Sequence, residues 1–485
     1  MIQAQQTPFE AQHTGILHSR YFPLLTCGII MFLFVISIFP GLGKGPLREW
    51  DEFLTAERSR EIVVSAHLCP LQFNFTPDLN KPPMQYYLTA ATLMACNNPV
   101  WASRFWPSVF GCGSLILMGI AARKMCPEWP WAMPLSMAFL AAVPMFRYFS
   151  STALLETGAL FFLLSTLVFV LLGRTRPTFW IIAGLAAGLG SLQKTPLAFA
   201  LLIFLAMADR CRNMRVPIVL GCLTGAILTI LWPVMLAIKT GPRNLLANLL
   251  DQWWKQRFAL TRPPLPESCA GVLYADLRYW TPFFAIILVV AVARMVSIRH
   301  KNSFILILPV IVYGLILIFM PGRSPRYLLP LIPFLILIAL VFLNEIARPY
   351  PNRQRLIGGV LLLSLAPLLF VDPLHMVSPY AQALRSSIPA ATAFGNEIKT
   401  CDTPVFLCSS EALQGNMHLA IFLLYGSVNR SFWCFCPADF IRYSKRPQRL
   451  LGVASSTDFE TLQKSTPGVR AITNIAQVVI WRMGP

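Results

Sequence analysis

The sequence predicts an α-helical polytopic membrane protein with about eleven transmembrane helices, followed by a small C-terminal α/β domain. Three observations carry this expectation. The 485-residue chain is 56% hydrophobic and only 13% charged, with a mean hydropathy of +0.60; a soluble chain carries about 25% charged residues. Apolar stretches of near membrane-crossing length recur from residue 21 to residue 372. The basic residues behind the formal net charge of +19 gather in short connections between those stretches. In a soluble chain that charge would hint at nucleic acid; here it marks topology, and no nucleic-acid partner is expected.

The first twenty residues are polar and lack a cleavage pattern, so 21–40 reads as a retained anchor and 1–20 as a cytoplasmic segment. Further apolar spans lie near 101–122, 129–147, 155–173, 179–193, 196–209, 216–238, 281–297, 304–320, 327–343 and 356–372. Those shorter than about 20 residues must tilt or shelter inside the bundle. Arg123 and Lys124, Arg174 and Arg176, Arg210, Arg212 and Arg215, Arg299 and Lys301, and Arg348, Arg353 and Arg355 then fall on one side, which the positive-inside rule makes cytoplasmic. The long loops 41–100 and 239–280 and the tail 373–485 fall outside. The stretch 84–97 is apolar but about fourteen residues long, and counting it as a span would reverse every later loop. It reads as an interfacial or re-entrant helix on the outer side.

The tail changes character. Val405–Cys408, Phe432–Phe435, Leu450–Ala454 and Val478–Trp481 read as short strands, with helices over 411–425, 437–444 and 457–465. Cys27, Cys112 and Cys222 lie inside spans as small core residues, and no Cys/His spacing points to a structural metal. Among Cys401, Cys408, Cys434 and Cys436 one disulfide and free thiols are equally compatible with an outward-facing tail.

The chemistry-bearing residues gather on the outer side. Asp51 and Glu52 follow the first span and fall in the first turn of a short helix, where the helix dipole favours carboxylates. Trp50, Phe53, Leu54, Ile62 and Val63 are expected to line one face of that helix as it lies on the membrane; Glu57, Arg58, Arg60 and Glu61 read equally well as solvated charges near headgroups. Lys81 is held by Pro82-Pro83 at headgroup level, suited either to phosphate or to plain snorkelling. Glu156 is an acid entering an apolar span, a costly placement that marks a functional candidate or a capping, ion-paired residue. Lys194 ends the Gly-rich span 184–193 on the same side. Arg323 and Arg326, in Pro321-Gly-Arg-Ser-Pro-Arg-Tyr327, break the positive-inside bias and favour a phosphate or pyrophosphate partner.

Taken together, the acidic pair after span one, the Lys-Pro-Pro-Met-Gln-Tyr-Tyr segment, the acid in the second outer loop, the Gly-rich span ending in Lys194 and Arg326-Tyr-Leu-Leu-Pro330 resemble the GT-C membrane glycosyltransferases. The branch in question holds the bacterial protein O-mannosyltransferases and the lipid A aminoarabinose transferase. The resemblance runs over most of 20–345. It implies a GT-C-like transmembrane domain over 21–372, an extracytoplasmic site in a bacterial inner membrane and a polyprenyl-phosphate-linked sugar donor. It implies Asp51 as the catalytic or acceptor-orienting acid with Glu52 beside it, Lys81 and Lys194 as donor-phosphate residues, and Glu156 where the family usually has aspartate. Asn80 stands where the aminoarabinose transferase has an acid, so recognition of an amino sugar does not carry over.

The expected reaction moves a hexosyl or pentosyl group to a lipid, glycan or protein acceptor, with inversion. Asp51 would act as general base, and Lys81, Lys194, Arg323 and Arg326 would stabilise the leaving phosphate. The pattern leaves room for a divalent cation between Asp51 and Glu156. The rival is a transporter or flippase for lipid-linked sugar, which would place ionisable groups along a midplane path.

Overall fold

The computed structural model describes residues 22–44, 50–73, 76–96, 98–208, 215–250, 289–294, 303–319, 325–348, 351–365, 403–407, 432–434, 450–475 and 478–484, with a few single positions between them. Helix α1 (Phe22–Ile38) contains no charged residue and opens the membrane part. Helix α2 (Trp50–Ser65) carries Asp51 and Glu52 in its first turn, as the dipole favours. The hairpin β1 (Leu71–Phe73) and β2 (Thr76–Asp78) pairs Leu71 with Asp78 in antiparallel register. Pro82 and Pro83 then lead into α3 (Met84–Ala95).

Two expectations for this segment need correcting. Glu57, Arg58, Arg60 and Glu61 are not solvated headgroup charges but are buried in the fold. Burial is tolerated because the charges are paired. Arg60 Nε donates to Glu57 Oε2 at 2.9 Å, and Arg58 Nε to Asp78 Oδ2 at 2.7 Å. The helix therefore has no single membrane-facing apolar stripe; Phe53 and Ile62 are buried alongside the charges.

Helix α4 (Pro99–Met125) starts on Asn98, whose Oδ1 accepts from the Trp101 N–H at 2.9 Å, and ends on Arg123 and Lys124, where cations suit the dipole. The expected single span 129–147 is instead two helices, α5 (Ala132–Ala142) and α6 (Pro144–Ser150), bent by 75°. Pro144 lacks the N–H that would continue the ladder and disfavours helical backbone at Val143, which is extended. Helices α7 (Glu156–Gly173), α8 (Phe179–Gln193), α9 (Leu197–Ala208) and α10 (Arg215–Thr240) follow. Gly184 of α8 and Gly221 of α10 bring the two backbones together: a Cβ on either would strike the other helix's main chain. Helix α11 (Pro242–Leu249), α12 (Ser303–Phe319), a 3-10 segment (Pro325–Leu331), α13 (Ile332–Ala347) and α14 (Pro351–Leu365) come next among the described residues. Buried side chains of α4, α5, α7 and α13 form one apolar core, with α13 buried along nearly its whole length.

Among the described residues five helices are long and apolar enough to cross a membrane, or six if the bent pair is one crossing. Phe179–Gln193, Leu197–Ala208 and Ile305–Leu317 are apolar but shorter. Most of the expected span 281–297 lies outside the described residues.

In the tail, β3 (Thr403–Leu407), β4 (Phe432–Cys434), β5 (Leu450–Ser455), β6 (Val469–Ile475) and β7 (Val478–Met483) form one mixed sheet in the order β4-β3-β5-β7-β6. The pairs β4-β3 and β3-β5 are parallel, and β5-β7 and β7-β6 antiparallel. Helix α15 (Ser456–Ser465) is capped by Ser455, whose hydroxyl accepts from the Asp458 N–H at 3.1 Å. It packs Phe459 and Leu462 with Trp481 and Phe440. Strand β6 was not expected. Arg470, Ala471 and Ile472 are all exposed and a bulge falls between Ala471 and Thr473, so clean alternation is missing. The expected helix 411–425, nearly all of 437–444 and the side chains of the four tail cysteines lie outside the described residues.

Candidate active site

The acid of the α2 first turn and the acid that opens α7 meet at one cation. Arg326, at the start of the Pro325–Leu331 segment, bonds the Asp51 carboxylate through Nη1, and its Nε lies 3.6 Å from Glu156 Oε1. Lys194, the residue that ends α8, bonds the same Glu156 oxygen at 2.6 Å. The Tyr327 ring lies 5.6 Å from Lys194 Nζ and 5.7 Å from the Arg326 guanidinium carbon, within cation–π range.

These groups line a cavity of about 340 Å³. Arg58, Lys81, Lys194 and Arg326 contribute positive charge to its wall, Asp51 and Glu156 negative charge, and Asn80 a neutral amide. A second cavity of about 140 Å³ adjoins it, sharing Leu197, Ala200, Tyr313, Ile316 and Pro330, and is otherwise lined by Leu, Phe, Val and Pro side chains. A charged cavity and an apolar one thus share a wall.

Burial works to raise the pKa of Asp51, but Arg326, and after it Lys81 and Lys194, outweigh burial and hold the carboxyl below its ordinary range. Asp51 is therefore ionised in this state. Burial pushes the Tyr86 phenol up to about 12, so it stays a neutral hydroxyl that accepts from Arg58 Nη1 at 3.1 Å.

Of the residues singled out in the sequence, Asp51, Glu156, Lys81, Lys194 and Arg326 line one cavity. Arg323 lies outside the described residues. Glu52 is placed differently from its neighbour. It is fully buried, bonds Arg104 Nε at 2.6 Å and Nη2 at 3.1 Å, and accepts from the Ala153 N–H at 2.9 Å. Arg104 Nη1 in turn donates to the Leu42 carbonyl at 3.0 Å. Glu52 ties α2 to α4 and to the turn that leads into Glu156, while Asp51 next to it faces the cavity. Sequence reasoning passed over Arg104 and Asp78, read Arg58 among the solvated charges, and gave Tyr86 no role beyond its place in the Lys-Pro-Pro segment. A lone arginine inside an apolar span was the available signal for Arg104; nothing local marks the Arg58–Asp78 pair, which the β1-β2 hairpin assembles.

The metal expectation meets an obstacle in the donor set. Asp51 and Glu156 share Arg326 between them, and no group of three His, Cys, Asp or Glu side chains is poised for an ion among the described residues. Two carboxylates bridged by a guanidinium do not make a cation site.

The fold is similar to that of solved GT-C membrane glycosyltransferases. Residues 48–215, which include Asp51, Lys81, Glu156 and Lys194, match the family model for dolichyl-phosphate-mannose-protein mannosyltransferases. The structure is similar to that of ArnT from Cupriavidus metallidurans, with a TM-score of 0.69 in the apo state at 15% identity, over 95% of this chain and 98% of that one. Against ArnT bound to undecaprenyl phosphate the TM-score is 0.67 at 16% identity, over 95% and 99% of the two chains. The apo oligosaccharyltransferase of Archaeoglobus fulgidus is also similar, with a TM-score of 0.58 at 11% identity, over 90% of this chain and 70% of that one. No curated protein sequence matches the chain.

Proposed function

We propose that the protein transfers a sugar from a polyprenyl-phosphate donor to an envelope acceptor (lipid, glycan or protein), on the extracytoplasmic face of a bacterial inner membrane. One observation carries the reading: Arg326 joins Asp51 to Glu156 in a cavity that Lys81 and Lys194 also line, with an apolar cavity sharing one of its walls. The cations outnumber the carboxylates in that wall, which suits a phosphate. The adjoining apolar space suits the first carbons of a lipid carrier. The neighbouring fold of ArnT, whose structure holds undecaprenyl phosphate, supports the same donor class.

In the proposed reaction the Asp51 carboxylate takes the proton of an acceptor hydroxyl or amine. The freed lone pair attacks the anomeric carbon, the bond from that carbon to the phosphate oxygen breaks, and polyprenyl phosphate leaves. A single displacement inverts the anomeric centre. Lys81, Lys194 and Arg326 stabilise the charge that grows on the leaving phosphate, and Glu156 holds Lys194 and Arg326 in place. No step is routed through a metal ion. The topology that fits this reading keeps the expected eleven crossings, an inner N-terminus and an outer tail, with the mixed sheet as part of the 373–485 domain.

The test is incubation of the purified full-length protein with a panel of radiolabelled polyprenyl-phosphate sugars, followed by measurement of released polyprenyl phosphate. Release by wild type and its loss in Asp51→Asn are expected. A fully active, folded Asp51→Asn protein would overturn the assignment of the base.

A further inference from the structure

The segments that bring Lys81 and Lys194 to the cavity are far apart in sequence, yet one buried bond joins them. Gln193 Nε2 donates to Gln85 Oε1 at 2.8 Å, and both side chains are fully buried. Gln85 Nε2 passes the chain on to Thr89 Oγ1 at 3.3 Å. Gln193 is the residue just before Lys194, and Gln85, in the first turn of α3, lies four residues beyond Lys81. The third active segment arrives at the same point. Gly158, two residues into the helix that Glu156 opens, packs against the Gln193 amide, and a Cβ there would collide with it.

Neither glutamine lines the cavity. Gln193 Oε1 has no hydrogen-bond partner among the described residues. A buried carbonyl left unpaired costs stability, so a leucine of similar size would serve cohesion better at this position. The amide sets register instead: it fixes α3 and the end of α8 against each other within a hydrogen-bond length.

We infer that Gln193 and Gln85 are positioning residues which set the spacing between Lys81 and Lys194, so that both ammonium groups reach a single donor phosphate. This rests on the donor reading above and deepens it: the two lysines act as one phosphate clamp, held by a bond that touches no substrate.

The experiment compares wild type with Gln85→Leu, Gln193→Leu and the double variant, all full-length in detergent. Donor KM, acceptor KM and kcat are measured with whichever polyprenyl-phosphate sugar the wild type uses, and binding of undecaprenyl phosphate is measured alongside. Each single change is expected to raise donor KM, and to weaken undecaprenyl phosphate binding, by about tenfold, because displacing a positioned group degrades the geometry of the bound state. Acceptor KM should stay put. The double variant should be no worse than either single one, since both break the same bond. An unchanged donor KM and carrier affinity in either single variant overturns the clamp, as do losses that simply add, or a fall confined to kcat. If Gln193→Leu does not fold, Gln85→Leu breaks the bond from the other end and decides alone. If the wild type transfers from no donor, the functional reading falls. The clamp is then judged on undecaprenyl phosphate binding, where equal affinity in wild type and Gln85→Leu sinks it.

Discussion

Arg326 bonds Asp51 from 275 residues further along the chain. The proposed base is thereby held by the cation that the donor phosphate would claim. Binding of a donor offers Arg326 a second, stronger anion and loosens its hold on Asp51. Arg326→Ala should thus cost more in leaving-group stabilisation than it gains by freeing the base. A fall in kcat of about 10²-fold or more is expected, as for loss of one preorganised donor in a transition state. Rapid-quench single-turnover kinetics with saturating donor measures it, and an unimpaired chemical step would remove Arg326 from the reaction.

The lowered pKa of Asp51 gives the pH dependence a definite sign. A carboxyl whose folded pKa is depressed contributes stability above its unfolded pKa, and loses that contribution as pH falls through the folded value. In the free enzyme Asp51 therefore stays ionised below its ordinary value of 3.8. Once donor phosphate neutralises Arg326, burial regains weight and the pKa rises. The acid limb of kcat, which reports the complex, should consequently lie at higher pH than the acid limb of kcat/KM, which reports free enzyme. Coincident limbs would contradict the exchange of partners at Arg326.

Glu52 predicts a stability phenotype. Its pair with Arg104 is fully buried on both sides. Removing one partner strands a buried charge, at a cost of about 3–5 kcal/mol. Arg104→Ala and Glu52→Ala should each lower the thermal midpoint in detergent sharply. The double variant Glu52→Leu/Arg104→Met should recover much of the loss. Equal midpoints for wild type and Arg104→Ala would mean that the pair does not hold α2.

Chelation separates the guanidinium bridge from a metal bridge. Because Arg326 stands between Asp51 and Glu156, treatment with EDTA is expected to leave sugar transfer intact. Loss of activity on chelation and its return with a divalent cation would refute that expectation.

Much of the site was legible because membranes make polar residues conspicuous. Asp51, Lys81, Glu156 and Lys194 each interrupt or border an apolar run, and loop charge alone assigned them to one side. The pairing among them was not legible. Nothing in the sequence says that Asp51 and Glu52, adjacent in one helical turn, part company, one to the cavity and one to Arg104. That split follows from helix geometry, since neighbours sit about 100° apart, and from where α4 and α7 happen to pack. Strands β3, β4, β5 and β7 announced themselves by apolar runs, and β6 did not, because its exposed residues hide the period. The break at Val143 and Pro144 carried its signal openly, a proline inside an apolar stretch.

The apolar cavity beside the charged chamber measures about 140 Å³. A void of roughly that size accommodates a guest on the scale of benzene. On the proposed reading, this cavity has room for the carbons next to the phosphate, and the rest of a carrier of many isoprene units would extend beyond it. The enzyme would grip the head of its donor and ignore the tail. Carriers of different length, saturation or biological source would be interchangeable at this cavity so long as the first unit and the phosphate are the same. Selectivity among donors would then rest on the sugar.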